Sequence, residues 1–369
     1  MGKRLYVIAG EASGDLHGAN LIRALYRRAG SEPLAVRAWG GDRMQAAGAE
    51  VVKHYRDLAF MGFTQVLLNL PTILRNIRTC QEDILRFKPD AVVLIDYPGF
   101  NLRIAKFARA RGIKVFYYIS PQLWAWKAGR IKAIRRDVDR MFVILPFEKD
   151  WYAERGMDVE FVGHPLLDAI AQEEFGQALE TGKDQRPVVA LLPGSRMQEI
   201  RRMLPQMLQM VKHFPGHRFA VAAAPSVPEQ AYRGLMADVP AVLVQGHTYA
   251  LLKQATAALV TSGTATLEAA LIGTPEAVCY GGNALNIWLA KRFIRVPFIS
   301  LVNLIMGREV VRELIQHGMR PAELRHELHR LLNDAQYRSR MQGDMRELRG
   351  KLGGTGASAH VADRVWISL

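Results

Sequence analysis

Short apolar runs, rich in β-branched and aromatic residues, alternate with helix-length amphipathic segments along the first half of the chain. Such runs, bounded by Gly, Pro, Asn or Asp, are typical of buried strands. They are LYVIA (5–9), AVRAW (35–39), AVVLID (91–96), KVFYYIS (114–120) and RMFVILP (140–146). Between them lie amphipathic segments such as GANLIRALYRRAG (18–30), which ends in arginines and a glycine like a helix C-terminus. The alternation predicts a parallel sheet with helices on both faces.

The same alternation restarts after a polar segment without apolar periodicity, EEFGQALETGKDQRP (173–187). The second set of runs is PVVALLPG (187–194), RFAVAAA (218–224), AVLVQ (241–245), AALVTSG (257–263) and EAVCYGG (276–282). The sequence therefore predicts an α/β protein of two Rossmann-like domains, with ligands in a cleft at the carboxyl ends of the strands. We expect domains at 1–172 and 173–345, followed by a helical segment at 346–369 that could pack back on the first domain.

Composition indicates a globular protein with an anionic partner. The chain is 49% hydrophobic, and its 49 Lys and Arg against 35 Asp and Glu give a net charge of +14. This balance suits nucleic acid, an acidic membrane surface or a phosphorylated substrate. Cys80 and Cys279 match no metal or redox spacing, which favours a reducing compartment. The longest uncharged stretch, 58–74, contains polar residues and is too short to span a bilayer.

The first glycine-rich turn, GEASGDLHGA (10–19), does not have the chemistry of a phosphate loop. Its Glu11 and Asp15 would repel a diphosphate but could accept hydrogen bonds from sugar hydroxyls. Elsewhere the chain contains neither the P-loop pattern nor G-x-G-x-x-G after a strand. We therefore expect this turn to bind a neutral sugar, although its glycines would also let the helix pack closely on the sheet.

Two turns of the second domain are better suited to phosphate. Gly194, Ser195 and Arg196 follow a predicted strand at the start of a helix, where free N–H groups and a guanidinium attract anions. The run from Thr261 to Thr264 repeats this arrangement, with Glu268 placed one turn later to receive ribose hydroxyls. Each turn could also be an ordinary capped helix. Two in one domain favour a nucleoside diphosphate site.

Asp96 is the candidate general base, because it follows a buried strand at the edge where ligands bind. A turn or N-cap role for this aspartate is the open alternative. His164 could contact a ligand or cap a helix, and the aspartates of DVD (137–139) are interpreted as a surface pattern. The sequence contains no cluster with metal-ligand spacing, and no metal is expected.

Two further segments could bind a surface. Trp124 and Trp126 stand beside the basic run 127–136, as in sites for phosphate, nucleic acid or a membrane. The stretch 60–80 has broad helical apolarity followed by arginines, which fits either a core helix or a membrane-dipping element. Its candidate membrane or acyl-chain residues are Met61, Phe63, Val66, Leu67, Leu70, Ile73 and Leu74.

These motifs in this order resemble the lipid-A-disaccharide synthase family, over essentially the whole chain. The residues that carry the resemblance are GEASGDLHGA (10–19), LIDYPGFN (94–101), PQLWAWK (121–127), VGHPLLD (162–168), LLPGSR (191–196), TSGTATLE (261–268) and SLVNLI with ELIQ between 300 and 316. The resemblance implies an inverting GT-B glycosyltransferase of family 19 that needs no metal or cofactor. It would join UDP-2,3-diacylglucosamine to 2,3-diacylglucosamine 1-phosphate, giving UDP and a β-1,6-linked disaccharide phosphate.

The resemblance also implies roles for residues and a location. Asp96 would be the base on the acceptor 6-hydroxyl, and the 60–77 stretch would take acyl chains or the bilayer. The nucleotide side would comprise Gly194, Ser195, Arg196, Thr261, Ser262, Gly263, Thr264, Glu268 and Asn303. The acceptor side would comprise Gly10, Glu11, Ser13, Asp15 and His17. Val302 and Gly281–Gly282 depart from the family pattern near the uracil end.

The implied location is the cytoplasm, at the anionic surface of the inner membrane, with no nucleic-acid partner and with a homodimer left open. Other GT-B enzymes, UDP-N-acetylglucosamine 2-epimerase and the peptidoglycan lipid-linked glucosaminyltransferase, are the alternatives within the fold. A basic nucleic-acid-binding protein or a membrane-surface scaffold would be the alternatives outside it. The motif at 10–19 has no use in nucleic-acid binding, and a scaffold would bind anionic vesicles but not UDP-sugars.

Overall fold

A computed structural model describes residues 2–58, 70–125, 128–172, 184–281 and 296–369. The chain divides into two compact units. Unit 1 comprises Met1–Ala171 and Leu352–Leu369, and unit 2 comprises Gln172–Lys351. The chain therefore leaves unit 1 at the predicted polar linker and returns to it for its last helix. Residues 346–351, predicted as part of that last segment, end a helix of unit 2.

Among the described residues, unit 1 is built on a seven-stranded parallel sheet in the order β3-β2-β1-β4-β5-β6-β7. The strands are β1 (Lys3–Ala9), β2 (Leu34–Gly40), β3 (Glu50–His54), β4 (Ala91–Ile95), β5 (Lys114–Tyr118), β6 (Arg140–Val143) and β7 (Glu160–Phe161). The helices are α1 (Ala12–Ala29), α2 (Asp42–Ala46), α3 (Leu70–Phe87), α4 (Pro98–Arg109), α5 (Ile131–Asp137), α6 (Pro146–Ala153) and α7 (Leu166–Ala171). The C-terminal helix (Ala357–Ser368) completes the unit.

The central strands of unit 1 are buried on both faces, which explains their continuous apolar runs. All five residues of β4 are buried, and β1 pairs in parallel with β2 on one side and β4 on the other. On one face, α3 buries Ile77, Cys80 and Ile84 in the core. The register of the sheet brings the turns after β1 and β4 to the same edge.

Unit 2 repeats the plan with, among its described residues, a six-stranded parallel sheet in the order β10-β9-β8-β11-β12-β13. Its strands are β8 (Val188–Leu192), β9 (Arg218–Ala223), β10 (Ala241–Gln245), β11 (Ala255–Thr261), β12 (Glu276–Tyr280) and β13 (Arg312–Ile315). Its helices are α8 (Met197–Leu208), α9 (Glu229–Met236), α10 (Thr248–Gln254), α11 (Thr264–Ile272), α12 (Leu301–Met306), α13 (Pro321–Asn333) and α14 (Ala335–Lys351). The two sheets agree with the predicted pair of Rossmann-like domains.

The last helix, α15 (Ala357–Ser368), packs on unit 1. Asp168 accepts hydrogen bonds from the backbone N–H groups of Gly356 and Ser358 and so caps the start of the helix. Near the other end, Lys3 Nζ donates to the carbonyl oxygen of Trp366 at 3.2 Å. None of the helices in the described part of the chain combines the length and apolarity needed to cross a membrane.

Candidate active site

Asp96 and Tyr97 form a left-handed turn where β4 ends and α4 begins. Their φ angles are 42° and 47°, a region that non-glycine residues rarely adopt and that typically carries about 1–3 kcal/mol of strain per residue. Asp96 is half-buried, so its carboxyl group lies at the edge of the sheet, partly out of water. Strain at the end of a central strand is typical of functional sites, which makes this turn a candidate for the catalytic centre.

The turn after β1 lies beside Asp96 because β1 and β4 are neighbours in the sheet. Gly10 allows this approach, since a Cβ atom there would lie 2.3 Å from Cγ of Tyr97. The pKa of Asp96 is raised to about 7, first by burial and second by the neighbouring Glu11 carboxylate. A backbone hydrogen bond from Tyr97 opposes this rise. A carboxyl group with this pKa can take and release a proton at neutral pH.

The other polar residues of this turn separate into two groups. Ser13 Oγ donates to Glu11 Oε1 at 2.6 Å, and both side chains are half-buried at the turn. Asp15 is 3% exposed, and its carboxylate accepts from the backbone N–H groups of Gly41, Arg43 and Met44 at 2.7–3.1 Å. Asp15 therefore caps α2, a structural role that was not predicted.

His17, also predicted on the acceptor side, lies inside unit 1 at 4% exposure. Burial lowers its pKa to about 4, and the nearby Arg43 acts in the same direction while Asp168 opposes it. His164 is buried as well, and its Nδ1 accepts from the backbone N–H of Leu166 at 3.2 Å. His17 is thus a buried, neutral histidine, and its contact with the acceptor stays a prediction.

In unit 2, the predicted phosphate turn after β8 carries its own anion. Gly194 has φ 115°, and the backbone N–H groups of Ser195 and Arg196 donate to Glu199 Oε2 at 3.1 and 3.3 Å. Arg196 Nη1 donates to Glu199 Oε1 at 3.0 Å. Glu199, which was not singled out from the sequence, therefore engages the same donors that would bind phosphate. Its position three residues after Arg196 is that of a capping box.

The turn after β11 presents Ser262, Gly263 and Thr264 at the start of α11. Ser262 Oγ donates to the carbonyl oxygen of Ile299 at 3.3 Å, which joins this turn to the segment before α12. Gly263 is exposed with φ 159°, and Thr264 is half-buried as the first residue of the helix. Thr261, the last residue of β11, is only 6% exposed, so the three residues that follow it are the accessible part.

Glu268 lies half-buried on α11 and accepts a hydrogen bond from the hydroxyl of Tyr249 at 2.9 Å. Tyr249 belongs to α10, which follows β10, and no sequence pattern pointed to it. The hydroxyl fixes one carboxylate oxygen of Glu268. This geometry suits a carboxylate that is to receive the hydroxyls of a ribose.

Asn303, predicted on the nucleotide side, is fully buried and its amide is used internally. Its Nδ2 donates to Val311 O and Glu313 Oε1, and its Oδ1 accepts from the N–H groups of Val310 and Val311, all at 2.7–3.0 Å. Glu313 in turn accepts from Ile299 N and Ser300 N. Asn303 therefore has a structural role, since its amide links α12 to the segment 310–313, and its contact with the nucleotide stays a prediction. The nearby departure, Val302, fills the core.

The candidate membrane residues are only partly covered by the structure. Met61, Phe63, Val66 and Leu67 lie outside the described residues, and Leu70 begins α3. Ile73 packs against the core of unit 1, whereas Leu74 is 52% exposed. Arg75 and Arg78 are exposed on the same helix. From residue 70 onward, α3 is thus an amphipathic helix whose outer face carries two exposed leucines, Leu74 and Leu85, and arginines, of which Arg78 pairs with Glu82.

The basic and aromatic segment is anchored by a buried carboxyl group. Trp124 Nε1 donates to Glu148 Oε1 at 3.1 Å, and its ring lies edge-on to Phe147 at 5.0 Å. Trp126 lies outside the described residues. Asp139 accepts from Val115 N at 2.8 Å, and Asp137 pairs with Arg136, so both serve local structure. In the described part of the chain, no three His, Cys, Asp or Glu side chains are grouped to hold a metal ion.

Solved structures share the fold at low sequence identity. The glycotransferase of kitacinnamycin superposes with a TM-score of 0.69 at 15% identity, covering 100% of both chains. UDP-GlcNAc 2-epimerase from Neisseria meningitidis gives a TM-score of 0.68 at 14% identity, covering 99% of this chain and 100% of that one. At these identities the likeness shows the fold alone. The predicted fold class, α/β with two Rossmann-like domains of the GT-B type, is confirmed.

Similarity in sequence is much closer and extends along the whole chain. The family model described as lipid-A-disaccharide synthetase matches residues 5–360. Lipid-A-disaccharide synthase of Myxococcus xanthus is 40% identical over 372 residues, covering 98% of this chain and 96% of that protein. The same enzyme of Trichlorobacter lovleyi is 39% identical over 377 residues, covering 98% and 97%. The chain belongs to the lipid-A-disaccharide synthase family.

Proposed function

We propose that this protein is an inverting glycosyltransferase that transfers diacylglucosamine from its UDP derivative to the 6-hydroxyl of diacylglucosamine 1-phosphate. The products are the β-1,6-linked lipid A disaccharide 1-phosphate and UDP. Family membership supports the reaction class and the pair of substrates. The observation that carries the mechanism is the half-buried Asp96, held in a left-handed turn beside Glu11 with its pKa raised to about 7.

Asp96 takes the proton from the acceptor 6-hydroxyl as its oxygen attacks the anomeric carbon of the donor. The bond from that carbon to the diphosphate oxygen breaks, and UDP leaves with the electron pair. One attack from the opposite face inverts the anomeric centre. Glu11 supports this role by raising the proton affinity of Asp96. Gly10 and Ser13, which lie in the same turn, are the proposed neighbours of the acceptor sugar.

The departing diphosphate needs positive charge and N–H donors, because negative charge develops on it in the transition state. Arg196, with Gly194 and Ser195, and the turn Ser262–Thr264 at the start of α11 are the proposed donors. The diphosphate then competes with Glu199 for the guanidinium and N–H groups of the first turn. Glu268, oriented by Tyr249, is the proposed ligand of the ribose hydroxyls.

Both substrates carry acyl chains, and we propose that the enzyme works at the anionic surface of the inner membrane on its cytoplasmic side. The exposed Leu74, Arg75 and Arg78 of α3 support this proposal, since an apolar side chain among cations suits a lipid headgroup region. The excess of 49 basic over 35 acidic residues acts in the same direction.

The direct test is to mix the purified protein with UDP-diacylglucosamine and diacylglucosamine 1-phosphate and to measure UDP release. We expect Asp96→Asn to lower the rate about 10²–10⁴-fold, the usual range for loss of a general base, because the amide cannot accept the proton. The matched control is Asp90→Asn, at the opposite end of β4, where the carboxylate accepts from Arg4 N. It should leave the rate unchanged.

A folded Asp96→Asn enzyme with a normal rate would overturn the assignment of the base. If the native protein released no UDP but interconverted UDP-N-acetylglucosamine and its 2-epimer, the epimerase alternative would replace the proposed reaction. That alternative shares the fold of this chain at 14% identity. The epimerase readout comes from a parallel reaction supplied with UDP-N-acetylglucosamine, and the nucleotide products of both reactions are separated in the same way.

A further inference from the structure

Two buried side chains donate hydrogen bonds to one backbone atom, the carbonyl oxygen of Asp96. Asn101 Nδ2 lies 2.7 Å from this oxygen and the hydroxyl of Tyr117 lies 2.6 Å from it. Both side chains are fully buried. Asn101 comes from the first turn of α4, and Tyr117 comes from the neighbouring strand β5. Two elements of unit 1 therefore converge on the backbone of the proposed base.

This carbonyl belongs to the left-handed turn, which does not persist without support from its surroundings. Asn101 Nδ2 also donates to the carbonyl oxygen of Ile95 at 3.2 Å, so it spans the last strand residue and the turn. The following residue is clamped as well, because the Tyr97 ring lies between Gly10 and Phe100, stacked on the latter at 5.6 Å. Both side-chain donors bond the backbone oxygen of Asp96, so neither of them occupies its carboxylate oxygens.

We infer that Asn101 and Tyr117 are positioning residues of the transferase: they hold the Asp96 carbonyl so that the strained turn directs its carboxylate at the acceptor hydroxyl. The inference rests on the proposed function, which makes Asp96 the base. It adds two residues that do not touch the substrate and that act only through Asp96. A displacement of about 1 Å at a reacting group can lower a rate about 10²-fold, so loss of one of the two donors has a measurable effect.

The test is a double-mutant cycle with the full chain, measuring UDP release. Tyr117→Phe removes one oxygen atom and should lower kcat about 10-fold, which is less than the effect of a displacement of about 1 Å because the second donor remains. The KM of the UDP-sugar should be unchanged. In the Asp96→Asn background the same change should have no further effect, because residues that act as a unit are not additive. The matched control is Tyr118→Phe, the next residue of β5, which is equally buried and whose side chain lies on the opposite face of the sheet because side chains alternate along a strand. It should leave kcat unchanged in both backgrounds.

Asn101→Ala tests the second donor to the same oxygen and should reproduce the Tyr117→Phe result. Melting curves identify variants that are folded at the assay temperature, and kcat is compared per folded molecule. The inference is overturned if both folded variants keep the native kcat, or if Tyr117→Phe lowers the rate equally in both backgrounds. These outcomes leave the base assignment intact. That assignment fails separately if Asp96→Asn alone keeps a normal rate.

Discussion

At the scale of single residues, four carboxyl groups of unit 1 illustrate three kinds of environment. Asp15 and Asp168 accept hydrogen bonds from the first N–H groups of a helix. Glu148 is buried, which raises its pKa to about 7, and it accepts from Trp124 and two backbone N–H groups. Asp96 differs from both kinds, because it is half-buried beside another carboxylate at a strained turn. Of these groups it is the one suited to accept a proton from a substrate.

The pH dependence of the rate follows from the same environment. The pKa of Asp96 is raised to about 7, so the base is protonated below this pH and ionised above it. We therefore expect kcat/KM to fall about tenfold per unit as the pH drops below about 7, and to level off above it. The measurement is initial UDP release from pH 5 to 9 with melting curves at each pH. An acid limb centred near the ordinary aspartate value of about 4 would contradict the raised pKa.

At the scale of elements, several helices begin on a carboxylate that comes from elsewhere in the fold. Asp15 of α1 caps α2, Asp168 of α7 caps α15, and Glu313 of β13 holds the residues before α12. Each such contact satisfies backbone N–H groups that a helix start leaves free. The loops at the carboxyl edges of the two sheets are therefore fixed by neighbouring elements.

The cap between α7 and α15 can be tested by Asp168→Ala. Loss of an N-cap acceptor should lower the free energy of unfolding by about 1–2 kcal/mol, because the backbone N–H groups of Gly356 and Ser358, the second of them buried, lose their partner. Urea unfolding gives the magnitude, and hydrogen exchange of residues 357–368 shows whether the helix is loosened. The control is Asp363→Ala on α15, an exposed ion pair with Arg28 that should contribute about 0–1 kcal/mol. Equal effects of the two changes would contradict the capping role.

At the scale of the whole molecule, the net charge of +14 should govern attachment to lipid. We expect sedimentation with vesicles that contain anionic phospholipid, and weak sedimentation with neutral vesicles. Binding should fall as salt rises from about 0.1 M to about 1 M, since the screening length shortens from about 10 Å to about 3 Å. Equal binding to both kinds of vesicle at all salt concentrations would contradict an electrostatic attachment.

The contribution of the exposed face of α3 to lipid binding can be tested in the same vesicle-sedimentation assay. Leu74→Glu should weaken binding to anionic vesicles, because the change places a negative charge beside Arg75 and Arg78 on the proposed surface. Val242→Glu provides the control, as Val242 is a similarly exposed apolar residue, 44% against 52%, on β10 of unit 2. A loss of binding in the control alone would place the lipid-facing surface on the other unit.

Local sequence patterns were sufficient to predict the buried central strands of both sheets. Strands such as β4 and β8 are buried on every residue, so they appear in the sequence as continuous apolar runs. The edge strands β3, β7 and β13 were not predicted, because they are short or half-exposed and have no such run. Asp96 was also accessible to sequence reasoning, since its place at the end of a buried strand is a local feature.

The sequence by itself thus determined the two-domain α/β plan, the strand ends that carry the chemistry and the family. Only the tertiary structure decided which polar residues at those strand ends are internal. Asp15, His17 and Asn303 have the right type and place for ligands, yet their surroundings bury them, and the partners of Asp15 lie 26–29 residues away along the chain. A hydrogen-bond partner or a shift in pKa depends on distances in space, which the order of residues does not specify.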